Sequence, residues 1–85
     1  MRYKDIVEIE VRLFATFRDY LPSGSASFSF KRHLPEEMEV SRIAEELKLP
    51  DNIPKIFVVN GNVVTGAYVT RDGDVVSIFP PVAGG

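Results

Sequence analysis

The chain has 85 residues and a formal net charge of −2 at pH 7, and 45% of its residues are hydrophobic. A chain of this length is expected to form one domain, residues 1–85, that buries about 60–65% of its unfolded surface. The sequence contains no cysteine and one histidine, which excludes disulfides and argues against zinc and iron–sulfur sites, and its acidic balance gives no support to nucleic-acid binding.

The N-terminal residues predict neither a targeting segment nor a membrane span. Residues 1–5 lead directly into alternating charge, with no continuous apolar run. Signal peptides and membrane-spanning helices both require such a run. We therefore expect a cytoplasmic protein that acts without a membrane.

The first predicted element is a half-buried strand over residues 6–14. Apolar and charged side chains alternate along it, which is the period-two pattern of a strand with one face on the core. The inward-facing set is Val7, Ile9, Val11 and Leu13. Phe14 breaks the pattern, because it places an aromatic ring on the charged face.

A loop and a second strand are predicted to follow. Turn-forming residues at positions 22–25 indicate that the loop over residues 15–25 reverses the chain. Alternating apolar residues at positions 26–30 then predict a strand antiparallel to the first. The charged segment 31–39, which contains Pro35, is interpreted as a connector.

One short amphipathic helix is predicted after this connector. Its apolar positions follow the i, i+3, i+4, i+7 spacing and are Val40, Ile43, Ala44 and Leu47. Its start is weakly marked, because Glu39 is a poor N-cap and a start at Ser41 would leave Val40 outside. Pro50 is expected to end it. Two turns are too few to be stable alone, so this helix must pack on a sheet.

The second half of the sequence predicts three further strands. A β-branched and aromatic run covers residues 55–59, and Asn60-Gly61 predicts a type I′ hairpin turn to a short strand, Asn62–Val64. The last strand is predicted at Val75–Phe79. The resulting ββαβββ order favours an α+β protein of the β-grasp (ubiquitin-like) class, in which the first and last strands are parallel neighbours at the centre of one mixed sheet.

The sequence offers no convincing side-chain catalytic centre. His33 is interpreted as a solvated loop residue rather than a general base. The two glutamate pairs, at positions 36–37 and 45–46, are interpreted as solvated surfaces, because acid–base catalysis needs one carboxylate of a pair to be desolvated. Asp72-Gly73-Asp74 lacks the further oxygen ligands of a calcium loop.

The C-terminal residues carry the most informative pattern. Pro80 and Pro81 are followed by Val82, Ala83, Gly84 and Gly85. The prolines fix φ and cannot join a central strand, so residues 80–85 are predicted to form a stiff, extended tail. The two glycines have no Cβ and fit a narrow channel. A frayed chain end is the alternative, and the two prolines argue against it.

The carboxylate of Gly85 is the remaining candidate for a reactive group. Its pKa of about 3.3–3.7 leaves it ionised at neutral pH. An ionised carboxylate can attack the α-phosphate of ATP to form an acyl-adenylate.

Residues 79–85 resemble the C-terminus of the small sulfur-carrier proteins of the MoaD/ThiS family. Residues 72–79, 58–61 and 13–21 are similar to the family's last turn and strand, its central hairpin and the exit of its first strand. The resemblance that residues 79–85 carry implies that Gly85 is the covalent site and that Gly84 allows close approach to it. The resemblance implies a β-grasp fold and a carrier that is not itself an enzyme. It also implies that no cofactor is bound and that the activating partner uses the ATP.

The same resemblance implies a reaction sequence and partners. An E1-like enzyme (MoeB/ThiF-like) would adenylate Gly85, and a sulfur donor would convert it to a thiocarboxylate. A synthase large subunit (MoaE-like) would then take the sulfur. The residues Phe79-Pro80-Pro81-Val82 are closer to the molybdopterin-synthase small subunit than to the thiamine branch.

A docking face for these partners is predicted at the base of the tail. If Val76 and Ile78 face the core, Phe79 faces outward, where Phe14 should lie on the neighbouring strand; exposed apolar patches of this kind commonly mark interfaces. The alternative is that one ring folds over an edge of the core. Arg18 matches a basic position of the family and is a candidate partner contact, although an exposed arginine without a special role is an equal alternative.

Two other functional classes stay open at this point. A ubiquitin-like modifier would use the same activated Gly85 to form an isopeptide bond with a lysine. A passive β-grasp binding module would not need the tail at all. Among carriers, a thiamine or another sulfur pathway is the alternative to synthesis of the molybdenum or tungsten cofactor.

Overall fold

A computed structural model describes residues 7–81 of the chain. These residues form five strands, one α-helix and one 3₁₀ helix. In chain order the elements are β1 (Val7–Leu13), the 3₁₀ helix (Ala15–Tyr20), β2 (Ser29–Leu34), α1 (Val40–Glu46), β3 (Ile56–Val59), β4 (Asn62–Val64) and β5 (Val75–Phe79). The predicted ββαβββ order is confirmed.

The strands form one mixed sheet in the order β2-β1-β5-β3-β4. β1 and β5 are parallel, whereas the other neighbouring strands are antiparallel. The first and last strands therefore lie side by side within the sheet, and the α+β, β-grasp prediction is confirmed. β5 occupies the centre, so each of its edges is paired and its C-terminal end is held firmly in place.

The hydrophobic core lies between one face of this sheet and α1. The predicted inward alternation of β1 is confirmed, since its four apolar side chains are buried. The buried apolar residues of β1, α1 and β5 are Val7, Ile9, Val11, Leu13, Val40, Ile43, Ala44, Val76 and Ile78. They belong to one cluster, so the two-turn helix packs on the sheet as its length requires.

The position of β2 differs from the prediction. The sequence placed the second strand at residues 26–30 and a connector at residues 31–39, whereas the strand runs from Ser29 to Leu34. β2 is an edge strand, so Lys31 and His33 can point to the outer face without being buried. Leu34 pairs with Val7 and is buried, and this contact between distant residues fixes the register.

The predicted loop 15–25 contains the 3₁₀ helix Ala15–Tyr20. Ala15 has a φ of 54°, which turns the chain out of β1 immediately after Phe14. Phe17 is completely buried and joins the core cluster. The remainder of the loop turns at Gly24, whose φ is 85°, as its turn-forming residues predict.

The first turn of α1 is capped by backbone rather than by a side chain. Glu39 is the N-cap and makes no capping side-chain bond. Instead, the amides of Val40 and Ser41 donate to the carbonyl oxygens of Tyr68 and Gly66, at 2.9 and 3.0 Å. The weak N-cap in the sequence is therefore compensated by a distant loop, which satisfies two of the unpaired donors of the helix.

The end of α1 corrects the expectation that Pro50 terminates it. Lys48 adopts a left-handed φ of 64°. Its amide donates to the carbonyl oxygen of Glu45 at 2.9 Å, and the amide of Leu49 donates to the carbonyl oxygen of Ala44 at 3.2 Å. These two bonds form a Schellman motif. The helix thus ends at Glu46 because Leu49 turns back into the core, where it is buried.

The predicted hairpin between β3 and β4 is confirmed. Asn60 and Gly61 have φ values of 52° and 87°, as both central positions of a type I′ turn require. Val59 pairs with Asn62 directly across the turn.

Candidate functional site at the end of the last strand

The described chain leaves the sheet at Phe79, the last residue of β5. Pro80 is half-buried and Pro81 is exposed, and neither has an amide hydrogen with which to continue the strand. The other predicted tail residues, Val82, Ala83, Gly84 and Gly85, lie outside the described residues. The extended tail and the reactive Gly85 carboxylate therefore remain predictions.

Two phenylalanine rings stack on each other where the chain leaves the sheet. The rings of Phe14 and Phe79 have centroids 4.3 Å apart and an interplanar angle of 6°. Leu13 and Ile78 are paired in the parallel ladder and are both buried. Because side chains alternate across a strand, the next residue on each strand faces outward, and the predicted juxtaposition of Phe14 and Phe79 is observed.

A third ring, Phe28, extends this pair toward β2. Its centroid is 5.5 Å from that of Phe14, with an interplanar angle of 38°. We call Phe14, Phe28 and Phe79 the aromatic patch. Sequence reasoning assigned Phe28 to the second strand and not to this surface. The carbonyl of Phe28 accepts from the amide of Leu13 at 2.9 Å, a contact between distant residues that gives no local signal in the sequence.

Apolar surface continues from the aromatic patch across β3 and β4. Ile56 lies opposite Phe79 in the ladder and is 39% exposed. Val58 lies opposite Val63, which is 76% exposed. Several apolar side chains thus lie on the outer face of the sheet near the base of the tail, and a cluster of exposed apolar side chains is typical of an interface.

Arg18, the predicted partner contact, lies in the last turn of the 3₁₀ helix. Its side chain is exposed, and within residues 7–81 it takes part in no ion pair. Because the 3₁₀ helix follows Phe14 directly, Arg18 lies close in the chain to the aromatic patch. A role in binding stays a prediction.

The other titratable side chains singled out in the sequence lie elsewhere and are solvated. His33 belongs to β2 rather than to a loop, and its Nε2 is 3.2 Å from a carboxylate oxygen of Glu8. Both side chains are largely exposed. Glu46 pairs with Arg32 and Arg42 on the surface. None of these groups has the desolvated setting that acid–base catalysis needs.

Asp74 is the exception, because it is 6% exposed. Its Oδ1 accepts from Nδ2 of Asn60 at 2.9 Å, and its Oδ2 accepts from the hydroxyl of Tyr68 at 3.0 Å and the amide of Arg71 at 2.9 Å. The hydrogen bond to Asp74, together with desolvation and the negative charge of that carboxylate, raises the pKa of Tyr68 above 10.0. A fully hydrogen-bonded carboxylate of this kind stabilises the structure and does not offer a reactive group.

Asp72 also has a structural role, since its Oδ1 accepts from the amide of Glu8 at 2.8 Å.

Within residues 7–81 no group of three or more histidine or acidic side chains is arranged to hold a metal ion. Across the same range, no helix has the length and apolar character needed to cross a membrane.

The ThiS family model matches residues 11–85 of the chain. This match includes the end of β1 from Val11, the aromatic patch and the whole C-terminal segment. Among curated proteins, none matches the chain significantly.

Solved structures of similar proteins share this fold along nearly the whole chain. The Haloferax volcanii protein HVO 2177 is 28% identical with a TM-score of 0.75, covering 100% of this chain and 92% of its own. A Pyrococcus furiosus protein named as putative molybdopterin converting factor subunit 1 is 30% identical with a TM-score of 0.69. The match covers 89% of this chain and 99% of the Pyrococcus chain. SAMP1 of Haloferax volcanii is 18% identical with a TM-score of 0.66, covering 92% and 99%, which shows a shared fold alone.

The matched residues extend over most of the sequence, and the sheet order and the helix are those that the family resemblance implies. The chain therefore belongs to the ThiS family of small sulfur-carrier and ubiquitin-like proteins.

Proposed function

We propose that this chain is the sulfur carrier of a molybdopterin synthase, in which it acts as the small subunit and donates sulfur for molybdenum or tungsten cofactor synthesis. The observation that carries the proposal is the similarity to the molybdopterin converting factor subunit 1 of Pyrococcus furiosus, at 30% identity over 89% of this chain and 99% of that one. The Pro80-Pro81 pair after β5 supports the same branch of the family.

The working group in this proposal is the C-terminal carboxylate of Gly85. In the first step a carboxylate oxygen attacks the α-phosphate of ATP, and pyrophosphate leaves. In the second step hydrogen sulfide ion, supplied by the sulfur donor, attacks the acyl carbon; the bond between that carbon and the AMP oxygen breaks, AMP leaves, and a thiocarboxylate results without a change of oxidation state. An E1-like enzyme catalyses the activation and a synthase large subunit uses the sulfur, so the carrier contributes position rather than catalysis.

The described geometry supports this division of work. β5 is paired along both edges, so it holds the first residue of the predicted tail at a fixed point on the molecule. The stacked rings of Phe14 and Phe79 lie at that point. A partner that binds the aromatic patch would therefore receive the tail in a defined direction, which lowers the entropic cost of bringing Gly85 to a remote active site.

The proposal is tested by intact-mass analysis of the full chain after incubation with ATP, the E1-like enzyme of the same organism and a sulfur donor. The expected product gains the mass of one sulfur-for-oxygen exchange. A chain with one residue appended after Gly85 is the matched control and should gain nothing, because its carboxylate is displaced from the active site. An unchanged wild-type mass, or equal modification of both chains, would refute the proposal.

A ubiquitin-like modifier is the second candidate, because the two C-terminal glycines and the β-grasp sheet are also compatible with such a modifier. The two candidates use the same activated Gly85 and differ in the acceptor. Lysine-linked adducts of the chain in cells would indicate the modifier, whereas a thiocarboxylate on the free chain indicates the carrier. A carrier for thiamine or another sulfur pathway would give the thiocarboxylate but would not restore molybdopterin synthesis to a strain that lacks its own small subunit.

A further inference from the structure

Arg12 lies beside the aromatic patch on the outer face of β1. Its Nε donates to Oε2 of Glu10 at 2.6 Å, and its guanidinium carbon lies 6.0 Å from the centroid of the Phe28 ring. A guanidinium group has five N–H donors in a planar fork. Within residues 7–81 the two terminal nitrogens of this group have no hydrogen-bond partner, and 40% of the Arg12 side chain is exposed.

This arginine is held in position rather than free to move. The carboxylate of Glu10 restrains one end of the guanidinium group, and the face of Phe28 attracts its charge. Each contact removes part of the rotamer freedom that a surface arginine would lose on binding. The fork is thus pre-organised next to the rings of Phe28 and Phe14.

We propose that Arg12, positioned by Phe28 and Glu10, binds an aspartate or glutamate side chain of the activating enzyme and thereby selects that partner. The inference rests on the proposed function, because it extends the surface at the base of the tail. The partner surface would carry apolar side chains that cover Phe14 and Phe79, with one carboxylate at their edge. Arginine binds carboxylates in two parallel hydrogen bonds, which adds specificity in geometry as well as in charge.

The charges around Arg12 favour a single carboxylate over a polyanion. Glu8 and Glu10 lie on the same outer face of β1, with His33 and Lys31 of β2 opposite them, and the whole chain has a net charge of −2. The charges on this face are therefore mixed and form no basic stripe for an extended phosphate backbone, whereas a single carboxylate needs only the one guanidinium fork. The neighbouring rings also need an apolar partner surface, which a folded protein supplies.

The test is the rate of pyrophosphate release by the E1-like enzyme as a function of the concentration of the full-length chain. Arg12→Glu should raise KM roughly tenfold or more, since it places like charges together at the interface. The value of kcat should not change, because the reacting carboxylate belongs to Gly85. Arg12→Lys keeps the charge without the fork and should give an intermediate KM.

Two further variants separate position from charge. Phe28→Leu keeps an apolar side chain but removes the cation–π contact, and it should raise KM about two- to fivefold. Arg42→Glu changes the net charge equally on α1, whose residues pack on the opposite face of the sheet, and it should leave KM unchanged. The excess KM of Arg12→Glu should shrink as salt is added, because screening weakens exposed charge pairs.

The outcomes distinguish this inference from the proposed function. A wild-type chain that releases no pyrophosphate overturns both. A wild-type chain that reacts, with the same KM for Arg12→Glu as for Arg42→Glu, overturns the role of Arg12 alone. Thermal unfolding of each variant checks folding. If Arg12→Glu is unstable beside Glu10, Arg12→Gln removes the charge without repulsion and should still raise KM severalfold.

Discussion

Asn60 serves both the hairpin turn and the strand beside it. Its backbone occupies the left-handed region, with a φ of 52°. Its side chain accepts from the amide of Val75 at 2.9 Å and donates to Asp74 at 2.9 Å. The Asn-Gly pattern predicts the backbone role, whereas the side-chain role depends on β5 lying next to the turn.

Two substitutions at Asn60 separate these roles. Asn60→Gly keeps the positive φ but loses both side-chain hydrogen bonds, so we expect the free energy of unfolding to fall by about 1–2 kcal/mol. Asn60→Ala adds the cost of a left-handed alanine, about 1 kcal/mol more. Urea denaturation measures both. Equal losses for the two variants would show that the backbone conformation contributes nothing.

The raised pKa of Tyr68 predicts a loss of stability at high pH. Folding favours the protonated hydroxyl, which donates to Asp74 at 3.0 Å. This contribution is complete below the unfolded pKa of about 10 and is lost as the pH rises through the higher folded pKa. The difference in unfolding free energy between the wild type and Tyr68→Phe should therefore shrink above pH 10.

The matched control for this pH dependence is Tyr20→Phe. Tyr20 is 37% exposed at the end of the 3₁₀ helix and donates no hydrogen bond to a carboxylate within residues 7–81. Removal of the Tyr20 hydroxyl should leave the decrease in unfolding free energy above pH 10 the same as in the wild type. A constant difference between the wild type and Tyr68→Phe from pH 7 to 11 would contradict the role of Asp74.

At the scale of elements, local periodicity predicted β1, α1 and the hairpin well. Their patterns repeat within a few residues, so neighbours in the sequence suffice to identify them. β2 was misplaced because its charged residues are acceptable only at the edge of a sheet. The 3₁₀ helix was missed because its buried residue, Phe17, fills space that β1 and β5 create.

The end of α1 gives a prediction at this scale. Lys48 is exposed and holds a left-handed φ of 64°, a conformation that strains a lysine but not a glycine. Lys48→Gly should therefore raise the free energy of unfolding by about 0.5–1 kcal/mol after the entropic cost of glycine is subtracted. Lys48→Ala controls for loss of the side chain and should give no gain. A less stable Lys48→Gly protein in urea denaturation would contradict the Schellman assignment.

In the whole molecule, one face of the sheet forms the core that stabilises the fold, and the other face carries exposed apolar side chains. One face packs against α1, and the other presents the aromatic patch together with Ile56 and Val63. Strand alternation and a parallel β1–β5 pair were enough to predict that Phe14 and Phe79 lie together. Phe28 and Arg12 were not predicted, because their contacts depend on where β2 begins.

The division of faces predicts that binding and stability respond separately to substitution of Phe79. Phe79→Glu removes a ring stack worth about 0.5–1.5 kcal/mol from a half-buried outer position, so the chain should stay folded at 25 °C. Its affinity for the E1-like enzyme should fall at least about tenfold, because a charge would enter the apolar centre of the proposed interface. Val69→Glu is the control, since Val69 is 44% exposed and lies beside the start of α1, and it should bind normally. Calorimetric titration of both variants measures the affinity for the E1-like enzyme, and circular dichroism checks that they are folded. Normal binding by a folded Phe79→Glu chain would place the docking surface elsewhere.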